Sequence, residues 1–193
     1  MNHGVYAIVL AAGSASRYGS TKQLAELGGQ SLVARAVATA DDACDGRTVA
    51  VLGHDAAEIA VELRESAGFI VINEHFEDGL GASIASAIRA IRHVASAVVV
   101  MLADQPGITA DHLSELLDAW DGDENSIVGT AFGETQGPPA LFAAACFDEL
   151  EALEGDSGGK HLFSDERFKL QTIRFEAAAV NIDTPADLTS LRA

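Results

Sequence analysis

Basic residues are scarce in this chain: 12 Lys and Arg stand against 29 Asp and Glu among 193 residues, a formal charge of −17 at pH 7. Nucleic acids and anionic membranes are held mainly by basic patches, so neither is an expected partner. Any phosphate must then be met by a few local cations. Cysteine is scarce too. Cys44 and Cys146 lie far apart and form no C-x-x-C pair, so both read as small apolar core residues in a reducing cytoplasm. No N-terminal signal segment and no long apolar span is read, so a membrane location is not expected. No Pro- or Ser-rich linker or charge block divides the chain, and 48% hydrophobic residues suffice for one core. Residues 1–193 are therefore expected to form a single domain. His75, His93, His112 and His161 lack metal-ligand spacing and read as structural or surface residues.

What is present centres on the stretch V-Y-A-I-V-L-A-A-G-S-A-S-R-Y-G-S-T-K, residues 5–22. Residues 5–10 form a near-continuous apolar run, the signature of a strand buried on both faces of a parallel sheet. Behind it Ala11, Ala12, Gly13, Ser14, Ala15 and Ser16 are all small, so a ligand can approach the main chain and its amides can point at an anion. Arg17 and Lys22 add two cations within a turn or two. The stretch reads as a triphosphate cradle, against the plainer alternative of a tight βα turn with solvated charges. It is not a P-loop, because five residues separate Gly13 from Gly19 and Ser20 stands where Lys is required; nor is there a G-x-G-x-x-G.

The rest of the chain alternates. A helix is predicted over residues 31–40 with Ser31 as its cap, strands over 47–52, 69–73 and 97–102, and helices over 55–67 and from Gly79 to about His93. Such alternation needs crossovers, so a mainly parallel sheet with helices on both faces is expected. The 97–102 strand ends at Asp104, where ligands collect in open α/β sheets. Asp104 could bind Mg²⁺ through hard oxygen, or could cap the helix starting near Thr109. Asp183 in V-N-I-D-T-P repeats the pattern, with the competing reading that Asp183 or Thr184 caps a helix over 186–191 with Pro185 at its first position.

Several motifs together resemble one family over essentially the whole chain. These are L-A-A-G-S-A-S-R-Y-G-S-T-K at 10–22, G-L-G-A-S at 79–83, L-A-D-Q-P at 102–106, G-P-P-A-L-F at 137–142, G-D-S-G-G-K at 155–160 and N-I-D-T-P at 181–185. In that order they are similar to those of the molybdenum-cofactor cytidylyltransferases, within the wider group of NTP transferases that includes the guanylyltransferase and isoprenoid cytidylyltransferase branches. Tyr18, and Ser20 with Thr21, depart from the usual pattern without removing a charge.

The resemblance implies a three-layer α/β/α, Rossmann-like nucleotide-diphospho-sugar transferase fold with a mainly parallel mixed sheet. It implies Mg²⁺-dependent transfer of CMP from CTP to the terminal phosphate of molybdenum-molybdopterin, releasing pyrophosphate. Ala12 is the residue implying CTP. Arg17, Lys22 and Asp104 would be catalytic. Leu10, Ala11, Ala12, Gly13, Ser14, Arg17, Lys22, Gly79 and Ser83 would meet the nucleotide, and Gln105, Pro138, Asp156 and Lys160 the acceptor. Asp104 and Asp183 would hold the metal. A molybdoenzyme receiving the cofactor is the implied protein partner. Two other readings stay open: transfer to another phosphorylated acceptor (guanylyl transfer, or a sugar or polyol phosphate), and a non-catalytic accessory that carries the cofactor.

Overall fold

The computed structural model describes residues 4–15, 17–65 and 68–191. Strand β1 (Val5–Ala11) is followed by the short hairpin β2 (Glu26–Leu27) and β3 (Gln30–Ser31), then α1 (Leu32–Cys44), β4 (Thr48–Leu52), α2 (Ala56–Glu62) and β5 (Phe69–Ile72). Next come α3 (Leu80–Ile91), β6 (Ala97–Leu102), α4 (Ala110–Ala119), β7 (Ser126–Phe132), β8 (Thr135–Ala143), α5 (Phe147–Glu151), β9 (Lys169–Arg174) and α6 (Pro185–Ser190).

Seven strands make one sheet in the order β5-β4-β1-β6-β8-β7-β9. All pairs are parallel except those of β8, which runs against both β6 and β7. The chain leaves β1 toward β4 and β5 on one side and returns on the other as β6, so the strand order reverses between β1 and β6. That reversal opens a crevice at the carboxyl ends of the two strands.

Period-two alternation explains why these strands are central. Val5, Ala7, Val9 and Ala11 face a core shared with Val33, Val37 and Leu116 from α1 and α4. Ile8 and Leu10 face the opposite core, shared with Ile84, Ile88 and Leu150 from α3 and α5. Each fully buried Val, Leu or Ile is worth about 1.5–3 kcal/mol. A charge at Ile8 or Val99, both at 0% exposure, would therefore break one of the two layers. Cys44 and Cys146 are buried in these cores, and burial pushes their thiols up to about 11 and about 12. They behave as small apolar residues.

Local signals set the helix ends. Ser31 Oγ accepts from Ala34 N at 3.2 Å, and α1 runs on past the expected residue 40 until Asp45 turns left-handed at φ 51°. The buried face Leu32, Val33, Ala36, Val37, Ala40 and Cys44 continues to that point, which is why the helix does too. The second helix is shorter than expected. It ends at Glu62, with Leu63 already non-helical at ψ 2°, and residues 66 and 67 of the predicted span lie outside the described residues. Among the described residues no helix is long and apolar enough to cross a membrane.

Candidate functional site

The loop after β1 turns without bulky side chains, and its shape is held from below. The buried Gln23 side chain donates from Nε2 to Ala11 O (3.1 Å) and Gly13 O (2.7 Å). Ala15 takes φ 49°, a left-handed angle costly for a residue with a Cβ. Its carbonyl then accepts from Tyr18 N at 2.8 Å, turning the chain toward Lys22. The exposed amides of Gly13 and Ser14 donate to no acceptor among the described residues. Ser16 lies outside the described residues.

Lys22 reaches back across the crevice. Its ammonium lies 2.7 Å from Asp104 Oδ2 and 3.5 Å from Asp183 Oδ1, while Arg17 lies 3.3 Å from Asp183 Oδ2. The two carboxylates come together because Ile182 N donates to Asp104 O at 2.9 Å. Gly107 allows the same approach, since a Cβ there would sit 2.9 Å from Ala177 O. Asp183 is not a helix cap. Thr184 Oγ1 accepts from Asp187 N, and the Asp187 carboxylate accepts from Thr184 N, a complete capping box that leaves the Asp183 side chain to the two cations. Nor does Asp104 cap α4, whose cap is Thr109.

This donor set fits a hard divalent cation. Asp104 Oδ1 is buried and has no hydrogen-bond partner, and both carboxylates already lie against one cationic atom. No group of three or more His, Cys, Asp or Glu gathers among the described residues, so such an ion would complete its shell with phosphate oxygens and water, as Mg²⁺ commonly does.

A cavity of about 510 Å³ opens here, within the size range of small-ligand sites. It is lined by Leu10 to Ala15, Lys22, Asp104, Gly79, Ser83 and Asp156. Gly79 has a packing reason as well: at φ 101°, a Cβ would lie 2.4 Å from Gly155 O. Ser83 is buried, its hydroxyl accepting from Asn73 Nδ2 at 3.1 Å. Pro138 and Lys160 line a separate cavity of about 390 Å³, whose walls Leu10, Leu80, Leu102 and Asp156 are shared with the first. Arg17 lines neither cavity; its side chain is 74% exposed above Asp183.

Gln105 is placed apart from the other expected acceptor-side residues. It lines neither cavity and is 4% exposed, its Nε2 donating to Ala178 O (2.9 Å) and Pro138 O (3.4 Å). Its neighbour Asp104 lines the first cavity. His112 is buried as well. Its Nε2 lies 2.8 Å from Thr130 Oγ1 and its ring stacks on Phe175 at 4.1 Å, a structural placement. Gln23, His54 and Phe76 belong to the first cavity and escape sequence reasoning. The one usable signal was Gly53-His54 at the carboxyl end of β4, the same sheet edge as Ala12. A Cβ on Gly53 would lie 2.4 Å from Phe76 Cβ and 2.8 Å from Ala12 O.

Residues 7–172 match the MobA-like NTP transferase domain, and the chain belongs to that family. The purine catabolism protein PucB of Bacillus subtilis (strain 168) is 29% identical over 120 residues, 60% of this chain and 57% of PucB. The chain thus spans a little over half of that relative. The crystal structure of Rv0371c from Mycobacterium tuberculosis H37Rv superposes with a TM-score of 0.86 at 26% identity, over 99% of this chain and 98% of that one. Rv0371c has also been solved in complex with manganese. Molybdopterin-guanine dinucleotide biosynthesis protein A from Archaeoglobus fulgidus matches with a TM-score of 0.70 at 22% identity, over 97% of this chain and 96% of that one, a likeness of fold.

Proposed function

We propose that this chain is a nucleotidyltransferase that moves CMP from CTP to the terminal phosphate of molybdenum-molybdopterin. One observation carries the reading: at the strand-order reversal, free loop amides, Lys22 and Asp104 line a cavity that shares a wall with a second one, and Lys22 also lies against Asp183. A donor and an acceptor can therefore lie side by side. The name of the archaeal neighbour, which includes molybdopterin, supports the choice of acceptor, and the manganese complex of Rv0371c supports a divalent ion.

In this reading an acceptor phosphate oxygen forms a bond to the α-phosphorus of CTP, and the bond from that phosphorus to the β-phosphate bridging oxygen breaks. Pyrophosphate leaves with the electron pair. No proton has to be taken from an ionised acceptor, so no protein base or nucleophile is required, and positioning and charge neutralisation are the main demands. The Gly13 and Ser14 amides meet triphosphate oxygens. Lys22 can rotate from Asp104 to a phosphate, and Arg17, already beside Asp183, adds a second positive charge at the rim. Asp104 and Asp183 would hold Mg²⁺, which supplies charge neutralisation at the α-phosphate and the leaving group. Leu10 and Ala12 bound the nucleotide side sterically, with Ala12 implying a pyrimidine.

Pyrophosphate release tests the reading, measured with CTP, GTP and ATP separately, each with and without molybdenum-loaded molybdopterin. Release only with CTP and the loaded acceptor is expected. Preference for GTP or ATP would sink cytidylyl transfer and leave the fold and the carboxylate pair standing. Release with a sugar phosphate in place of the pterin would overturn the acceptor.

A further inference from the structure

The direction of the Ser83 hydroxyl is set by Asn73, a residue that lines neither cavity. A serine inside a helix commonly donates to the carbonyl four residues back, and Ser86, about one turn further along α3, does so to Ala82 O at 2.9 Å. Ser83 does not. Its oxygen accepts instead from Asn73 Nδ2 at 3.1 Å, reaching across to the end of β5.

Asn73 is held on three sides. It is buried, its N–H donates to Leu52 O at 2.8 Å just past the last β5 residue, and its Oδ1 accepts from His75 N at 3.0 Å. The last bond fixes which way round the amide lies, because a flipped amide would set its NH₂ against the His75 N–H. Nδ2 is therefore the atom that faces Ser83.

A hydroxyl has one hydrogen to give besides what its oxygen accepts. With the oxygen engaged by Asn73, the Ser83 hydrogen is unspent and goes to no acceptor among the described residues. Ser83 lines the first cavity together with Glu77 and Asp156, whose carboxylates only accept when ionised. The hydroxyl supplies a neutral donor that those side chains cannot.

We propose that Asn73 is a positioning residue for the nucleotide: it holds the Ser83 hydroxyl away from its own helix and commits it as a donor to an acceptor atom on the base edge, a carbonyl oxygen or an unprotonated ring nitrogen. Cytosine offers both, as O2 and N3. That the ligand is a nucleotide rests on the proposed transfer; the polarity of the contact rests on the bonds of Asn73 alone.

Calorimetry with Mg²⁺ and no acceptor compares CTP with ribose 5-triphosphate, which keeps the sugar and phosphates and lacks the base. In Asn73→Asp the carboxylate keeps the shape and the bond from His75 N but only accepts, so it takes the Ser83 hydrogen and leaves a lone pair toward the base. The two hydrogen bonds it receives keep it ionised at about pH 8. Asn73→Ala instead frees Ser83 to donate to Gly79 O within its own helix. CTP binding should weaken about tenfold in both variants and in Ser83→Ala, the size of one buried hydrogen bond. Ribose 5-triphosphate should stay within about twofold of the parent in all three. Asn73→Ala combined with Ser83→Ala should bind CTP no more weakly than Ser83→Ala, because both remove the same contact. Asn73→Asp and Ser83→Ala carry the test should the void left by Asn73→Ala prevent folding. Equal losses for the two ligands would make Asn73 a structural residue only. Parental CTP affinity in any single variant, additive losses in the double variant, or a parent that binds ribose 5-triphosphate as tightly as every nucleoside triphosphate would each overturn the proposal. Tighter binding of GTP or ATP than of CTP by the parent would remove cytidylyl transfer alone, and the same variants compared on that nucleotide then decide the role of Asn73.

Discussion

Replacing Asp104 by Asn separates a metal ligand from a structural ion pair, because the two roles differ in what they cost. The carboxylate accepts from Lys22 at 2.7 Å, with side chains 23% and 14% exposed. Asn keeps the shape and an acceptor oxygen, so the bond survives as a charged donor on a neutral acceptor. A charge-assisted bond exceeds an ordinary one by about 1 kcal/mol, and Asp183 at 3.5 Å still neutralises Lys22. Partial exposure trims the difference further. The expected loss in stability is therefore about 1 kcal/mol or less, a fall in melting temperature of roughly 2–4 °C at most for a chain of this size. Turnover should suffer far more. Groups that only orient metal ligands are worth about 10–100-fold, so losing one charged ligand should cost at least the upper end of that range. The assay is pyrophosphate release across a Mg²⁺ titration, with Mn²⁺ binding by electron paramagnetic resonance as a readout independent of turnover. Parental turnover at low Mg²⁺, or parental Mn²⁺ affinity in Asp104→Asn, would refute the assignment.

Asp183→Asn should lower Mn²⁺ affinity and turnover while leaving melting unchanged, because the capping box belongs to Thr184 and Asp187. Thr184→Ala should do the reverse, costing about 1 kcal/mol of stability with turnover kept; a melting loss confined to Asp183→Asn would reverse the two roles. Gly53→Ala forces a Cβ to 2.4 Å from Phe76 and 2.8 Å from Ala12 O, so calorimetry should find weaker CTP binding and melting a cost of about 1–3 kcal/mol. Unchanged CTP affinity would mean that neither Phe76 nor Ala12 meets the nucleotide. Burial holds the His112 imidazole below its ordinary 6.5, only partly opposed by Glu115. The unfolded chain takes up this proton first as pH falls through about 6.5, so His112 subtracts stability below that value. Urea unfolding at pH 7.5 and 5.5 should show a smaller acid loss in His112→Gln than in the parent, and an equal loss would show that the proton is taken up elsewhere.

The parallel half of the sheet was legible because each central strand announces itself by burial on both faces. Residues 5–10 and 97–102 lie on neighbouring strands, β1 and β6, and their side chains alternate between two separate cores. The other half carries weaker signals. β7 is half apolar, β8 contains Gly137, Pro138 and Pro139, and β9 is an edge strand, mostly exposed, with Lys169 and Arg174 at its ends. Proline and glycine normally argue against a strand. Here Pro138 and Pro139 lie beyond Ala140, the last β8 residue paired with β6, and beside the register shift at Gly129 and Thr130, where fewer ladder bonds are asked of them.

The site divides by a different rule, set by whether a residue acts through its type or through its neighbours. Lys22, Asp104 and Asp183 carry charges whose chemistry is visible in a one-dimensional string, and the fold had only to bring them together. Gln23 and Gln105 have the same side chain and opposite legibility. Gln105 sits inside a recognisable motif and turns away from the cavities, whereas Gln23, beside Lys22 and outside any expectation, holds the loop after β1 from beneath through Ala11 O and Gly13 O. A neutral amide has no role until two carbonyls are placed within its reach, and that placement depends on the turn that Ala15 makes at φ 49°. The same dependence hid His54 and Phe76, whose presence at the cavity follows from β4 lying beside β1 and from the absent Cβ of Gly53. Strand order, which local pattern does not encode, is what converts these ordinary residues into lining.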